Sequence, residues 1–267
     1  MIGPGGGIVR RLGAAGFWLL VVAVFLFPYT GPAHRWLHPF DFPAATVALL
    51  ILFGWRWRRS VLARLGIPAG ARAAVAAAGT LVALYLVFRW LIAAIAAGDG
   101  LLLLSPDPVP SVRWLFQALN EEVLLGFLPL AALHRRFGRP VVAAVGLAAL
   151  FALLHVALYR FGALHTWIRW EAGAALLAVG VLRNALILSA GHVGFAWALH
   201  AAWNMAVFNG RWQAGAGGPS LSEPEIFDAF LGNPVMLGIT AAAALSALLL
   251  LVKKGAASSV TKPPPLR

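Results

Sequence analysis

The chain has 267 residues, 61% of them hydrophobic and 11% charged, with a formal net charge of +12 and no cysteine. Soluble globular domains hold about 45–50% apolar and about 25% charged residues, so this composition excludes an ordinary soluble fold. The absent cysteines exclude disulfides, thiolate metal sites and cysteine nucleophiles, and basic residues confined to short connections argue against a nucleic-acid partner.

Apolar stretches near 20 residues recur along the chain and lack the alternation of a transmembrane barrel. Backbone polar groups in lipid must be satisfied within each segment, which predicts helices. The expected fold class is therefore all-α, a polytopic transmembrane helical bundle of about eight spans with both termini on the inner side. In chain order the spans fall at 12–30, 43–56, 73–97, 112–133, 140–160, 171–183, 186–209 and 234–252. The first follows Arg10 and Arg11, and GPAH (31–34) is a poor cleavage site, so a retained anchor is expected rather than a signal peptide. The second and sixth are short and would suit tilted or re-entrant pieces.

Charge supports this map. The inner connections collect Arg56, Arg58, Arg59, Arg135, Arg136, Arg183 and Lys253 without any acid. Asp41, Asp99, Asp107, Glu171, Glu223, Glu225 and Asp228 fall outside with Arg35, Arg113, Arg160, Arg169 and Arg211. That segregation follows the positive-inside rule. Arg89 is expected to snorkel toward headgroups beside Trp90. The chain then divides into N-terminal transmembrane helices (1–110), a core carrying the polar motifs (111–209), an exposed Gly-, Ser- and Pro-rich loop (210–233), a last span (234–252) and a disordered inner-facing tail (253–267).

Three polar islands interrupt the apolar runs. The first is Asn120-Glu121-Glu122 in the fourth span. A charged side chain at the bilayer centre costs about 2.5–3.5 kcal/mol on insertion scales, so an adjacent pair implies a task. Neighbouring helix positions lie about 100° apart, so the two carboxylates face different ways. The second island is Phe151-x-x-x-His155 in the fifth span, where ring and imidazole share a helix face. The third is His200-x-x-x-Asn204 in the seventh, a spacing suited to paired oxyanion donors. Interhelical hydrogen bonding is the competing structural reading for each, and His192, between Gly191 and Gly194, is read as structural. At about 1.5 Å per residue, Glu121, His155 and His200 lie about 14, 8 and 13 Å from the outer ends of their helices, which allows one shared pocket. The chain has no H-E-x-x-H, no G-x-S-G or G-x-G-D, and no Walker or Rossmann glycine pattern.

The ordered set Glu-Glu, Phe-x-x-x-His and His-x-x-x-Asn, with the basic turn HRRFGRP (134–140), resembles the CPBP family of CAAX prenyl endopeptidase and bacteriocin-processing (Abi) membrane proteases. The resemblance covers Arg113 to Phe208. It implies an intramembrane endopeptidase with a catalytic core at 111–209, acting on a membrane-associated protein or peptide within the lipid bilayer. The implied location is an integral, multi-pass position in a bacterial-type plasma (inner) membrane. Glu121 with His155 would polarise the attacking water, His200 and Asn204 would hold the oxyanion, and Glu122 would orient these groups. No cofactor is expected, with zinc bound by Glu and two His as the minority option. The family's first motif is E-E-x-x-x-R, and here Gly126 replaces the arginine. A buried arginine would hold a carboxylate ionised, and Arg135 and Arg136 lie too far along the helix to stand in. That departure keeps open a non-catalytic membrane partner or immunity factor, and the buried Glu and His leave a second alternative, a proton-coupled transporter using them as a relay.

Overall fold

The computed structural model describes residues 5–30, 37–57, 61–68, 70–106, 109–161 and 167–260. Helix α1 (Gly5–Leu26) ends in a 3-10 turn at Phe27–Tyr29, followed by α2 (Asp41–Trp57), the short α3 (Val61–Arg64) and α4 (Ala71–Asp99). Strand β1 (Leu101–Pro106) leads into one continuous helix made of α5 (Val109–Glu121), a π-helical turn (Glu122–Phe127) and α6 (Leu128–Phe137). Then come α7 (Pro140–Phe161), α8 (Trp170–Ala190), α9 (Gly194–Phe208), strand β2 (Gly210–Ala214), α10 (Glu223–Ile226) with a π turn at Phe227–Leu231, and α11 (Pro234–Val260). Among the described residues, five helices are long and apolar enough to cross a membrane, at 71–99, 112–137, 140–157, 170–190 and 234–253. Leu19, Trp55, Val75, Leu153 and Leu250 point outward, the arrangement expected where lipid rather than water surrounds the bundle. The protein is an all-α membrane bundle with one small two-stranded sheet.

Small residues set the packing. Helix α8 lies against α7 and α11, and α9 lies against α4 and α5. A Cβ added at Gly180 would come within 3.0 Å of Ala148 Cβ and 3.1 Å of its Cα, so α7 and α8 touch at backbone distance. Without a hydrophobic drive between helices in lipid, such close approach is the main source of their attraction. Asn184 adds a buried tie, donating to the Ala144 carbonyl at 2.8 Å.

The structure corrects several expectations. Arg183, assigned to an inner connection, is 2% exposed within an unbroken α8. The helix ends later, at Gly191, whose left-handed backbone lets its N–H close onto the Ile187 carbonyl. Arg183 does not stop the helix because its charge finds a partner inside. Arg89 also has a partner within the bundle, donating to the Ala206 carbonyl at 3.4 Å. Asp41 and Arg113 are not loop charges either. They form an ion pair at 3.1 Å with Asp41 fully buried and the guanidinium over the Phe42 ring.

The stretch 210–233 is exposed only over part of its length. Strand β2 pairs antiparallel with β1, Leu103 opposite Trp212, and the buried Trp212 indole donates to the Val207 carbonyl. Further on, Ile226, Phe227, Phe230 and Leu231 are buried against the bundle. The tail begins as helix, since α11 continues to Val260. Residues 261–267, the GPAH stretch, and Arg35, Arg58, Arg59 and Asp107 lie outside the described residues.

Candidate active site

The acidic island sits where α5 passes into its π turn. A π turn inserts one extra residue into the helical ladder and is a common local distortion at functional sites. Glu121 is the last residue before that turn and Glu122 the first within it. Both are buried, at 6% and 0% exposure.

Each carboxylate has its own surroundings. Glu121 Oε1 accepts from the Tyr29 hydroxyl at 2.7 Å and from Gln117 Nε2 at 3.0 Å. Its other oxygen, Oε2, faces His200 Nε2 at 3.8 Å. Glu122 Oε1 meets His200 Nδ1 at 2.9 Å, so Nδ1–H donates to the carboxylate. Glu122 Oε2 has no hydrogen bond among the described residues and faces Arg183 Nε at 3.5 Å. His200 therefore stands between two glutamates that are adjacent in the chain. The π turn allows one helix to offer both of them to one ring.

His155 is fixed from its own helix. Its Nδ1–H donates to the Phe151 carbonyl at 2.9 Å, which leaves Nε2 as the free ring nitrogen. The Phe151 and His155 rings lie 4.3 Å apart, and the Arg183 guanidinium lies 4.2 Å from the Phe151 centroid. His155 lies within electrostatic reach of Glu121, as does His200. Asn204, one turn beyond His200, is 5% exposed and makes no hydrogen bond among the described residues. Asn120, the third member of the first island, is held apart by Thr46, whose hydroxyl donates to it at 2.8 Å.

A cavity of about 220 Å³ reaches His155, His200, Asn204 and Arg183. Its remaining walls are largely apolar and come from α4 and α11 as well as α7 to α9. Val87 and Ile239 line it and are also exposed on the outside of the bundle, so the space opens laterally between α4 and α11. Glu121 and Glu122 do not line it; they stand behind His200. Over His155 the segment after Ser222 forms a roof. Phe227 packs 6.3 Å from the His155 ring and 5.6 Å from Tyr159, whose hydroxyl donates to Glu223 at 2.8 Å.

The structure thus gathers Glu121, Glu122, His155 and His200, and places Asn204 on the same cavity. His192 lies elsewhere, accepting the Gly194 N–H at the start of α9. Sequence reasoning missed three contributors. Gln117 was legible, one turn before Glu121 on the same face. Arg183 was visible as an intramembrane arginine once α8 is allowed its full length. Tyr29 gave no local signal, since it lies 92 residues from its partner. Among the described residues no three His, Asp or Glu side chains come close enough together to hold a metal ion.

Comparison with known proteins bears on the same region. Residues 109–206, from the start of α5 nearly to the end of α9, match the family described as type II CAAX prenyl endopeptidase Rce1-like. No curated protein and no solved structure matches the chain. The matched residues carry the two glutamates, both imidazoles, Asn204 and Arg183, and over them this integral membrane protein is similar to the type II CAAX endopeptidases of the CPBP family.

Proposed function

We propose that the protein is an intramembrane endopeptidase that hydrolyses a peptide bond in a membrane-associated protein or peptide, with no bound cofactor. The observation that carries this reading is His200 held between Glu121 and Glu122, beside an apolar cavity that also exposes His155 and Asn204. A substrate segment enters from the lipid between α4 and α11 and lays its scissile carbonyl near Asn204. Glu121 and the free Nε2 of His155 take up a water between them; its oxygen attacks the carbonyl carbon while its proton passes to Glu121. The tetrahedral oxyanion accepts from the Asn204 amide, and from His200 Nε2–H when that ring is protonated on both nitrogens. Preorganised donors in a dry site are worth far more than in water. The proton held by Glu121 then passes to the departing amine as the C–N bond breaks, and carboxylate and free amine products form.

Gly126, the feature that favoured a non-catalytic partner, loses that weight because another guanidinium stands beside Glu122. The full topology belongs to this reading too: eight spans, both termini inside, in an inner membrane. The test compares peptide termini in membranes from cells expressing the wild type, Glu121→Ala or His155→Ala, with and without a chelator. Fragments that appear only with the wild type, and persist under chelation, support the proposal. Identical fragment patterns from all three proteins would remove it.

A further inference from the structure

The E-E-x-x-x-R pattern calls for a guanidinium one turn past Glu122, where this chain has Gly126. A Cβ built on Gly126 would lie 3.1 Å from Glu122 Oε2, 3.2 Å from Ile187 Cδ1 and 3.9 Å from Arg183 Cζ. A side chain at 126 would thus press on the Glu122 carboxylate and on Ile187 of α8, with the Arg183 guanidinium just beyond at van der Waals contact. Glycine at 126 and arginine at 183 fit as a pair: any larger residue at 126 would crowd the ion pair that Arg183 makes.

We propose that Arg183 is a positioning residue that takes over, from a different helix, the place left open at Gly126. Glu122 is fully buried, and Oε2 has no hydrogen bond among the described residues, so Arg183 is what compensates that oxygen. With Glu122 paired to Arg183, Oε1 fixes the Nδ1–H of His200 and turns Nε2 toward Glu121. The order of action is Arg183, then Glu122, then His200. Arg183 and Glu122 together are neutral, so a proton can move between Glu121 and His200 without leaving an unbalanced charge behind the site. Phe151 completes the seat, its ring against the guanidinium and its carbonyl on His155. One arginine therefore touches the supports of both imidazoles.

The catalytic consequence rests on the peptidase reading above, so the experiment has one arm that does not. Protein labelled with ¹⁵N-histidine is placed in lipid nanodiscs, and the Nδ1 proton of His200 is assigned by its loss in His200→Ala. The second arm measures cleavage of a quenched-fluorescent peptide bearing an S-farnesylated cysteine near its C-terminus. Arg183→Leu should erase the strongly hydrogen-bonded Nδ1 signal and lower kcat about 100-fold, the scale of a misplaced catalytic group, with KM changed by less than about 3-fold. Arg183→Lys should retain part of both. The double variant Gly126→Arg/Arg183→Leu, which returns the cation to the helix of Glu122, should regain the signal and at least about tenfold in kcat over Arg183→Leu.

A persistent Nδ1 signal with wild-type kcat in Arg183→Leu overturns the proposal, as does a folded double variant that regains neither. If Arg183→Leu does not fold, Arg183→Lys decides: unchanged signal position and pH–rate profile there also overturn it. If the wild type cleaves nothing while Arg183→Leu loses the signal, the positioning role stands and the peptidase reading falls.

Discussion

The Tyr29 hydroxyl donates to Glu121 Oε1 across 2.7 Å, joining the turn after α1 to the acidic island of α5. Tyr29 is half exposed on the bundle surface, yet its polar tip is buried in the site. It shares Oε1 with Gln117, so the two donors fix the carboxylate and leave Oε2 turned toward His200. Hydrogen bonds to charged groups contribute about 1.5–3 kcal/mol. Tyr29→Phe keeps the ring and removes only the donor. It should lower kcat about tenfold with little change in KM, because Gln117 still holds one side. Steady-state kinetics on the farnesylated peptide measures this, and wild-type kcat would assign the hydroxyl no catalytic part.

Asn204 lines the cavity and has no hydrogen-bond partner among the described residues. Asn204→Ala should lower kcat about 10²–10³-fold, the cost of removing one oxyanion donor elsewhere, while thermal stability stays close to wild type. The stability half of this prediction follows because, among the described residues, Asn204 has no hydrogen bond to lose. A large fall in melting temperature would instead give Asn204 a structural part, and kinetics paired with thermal unfolding in detergent separates the two.

The Asp41–Arg113 pair makes the opposite prediction. Asp41 is fully buried, Arg113 is 14% exposed, and their contact at 3.1 Å joins α2 to α5 ahead of the acidic island. Breaking a buried pair by removing one member typically costs about 3–5 kcal/mol, because the other charge is left uncompensated. Arg113→Leu should therefore destabilise the bundle strongly. Asp41→Asn/Arg113→Leu, which removes both charges, should recover much of the loss. Tryptophan fluorescence during thermal unfolding reads both variants, and equal destabilisation by the single and double changes would show that the pair is not the cause.

Acid should weaken one tie in the roof over His155, the Ser222–Glu225 cap. Glu225 accepts from the Ser222 hydroxyl at 2.6 Å and from its backbone N–H at 2.7 Å, and the hydroxyl bond above all holds its carboxyl below the usual range. A carboxyl lowered by folding adds stability that is present above its unfolded value, about 4.3, and lost as pH falls through its folded value. Glu225 is on the surface, so solvent screening keeps this contribution small. Amide exchange at 222–226, corrected for intrinsic rates, should become faster below about pH 5 relative to Glu225→Gln, because burial raises the carboxyls of Glu223 and Asp228 and makes them respond in the opposite sense. In Glu225→Gln that dependence should flatten; an unchanged dependence would place its origin in another group.

The motifs were readable because their chemistry is local to one helix. Phe151 and His155, or His200 and Asn204, fall on one face through i, i+4 spacing alone. Their meeting across helices was an inference of depth, and the ring seated between Glu121 and Glu122 depends on a π turn that apolar periodicity does not announce. Arg183 was misplaced for a definite reason. Treating this arginine as a loop marker cut the segment at 183, whereas internal pairing lets α8 run on to Ala190. The folded end of 210–233 was hidden by composition: its Gly, Ser and Pro residues outweighed Trp212, Phe227 and Phe230, whose burial depends on partners far away in the chain.

Gly126 has a bearing on how such a site is recognised. A signature written along one stretch of chain records where a charge is attached, while the pocket responds only to where that charge ends up. Glycine at the fourth place after Glu122 and arginine on α8 amount to one character spelled across two helices. A search keyed to the contiguous pattern would discard this chain, and a search for the pair would keep it. Relatives that carry glycine there without an arginine at the facing position should be the ones whose second glutamate has lost its counter-ion, and with it the means to steer the ring.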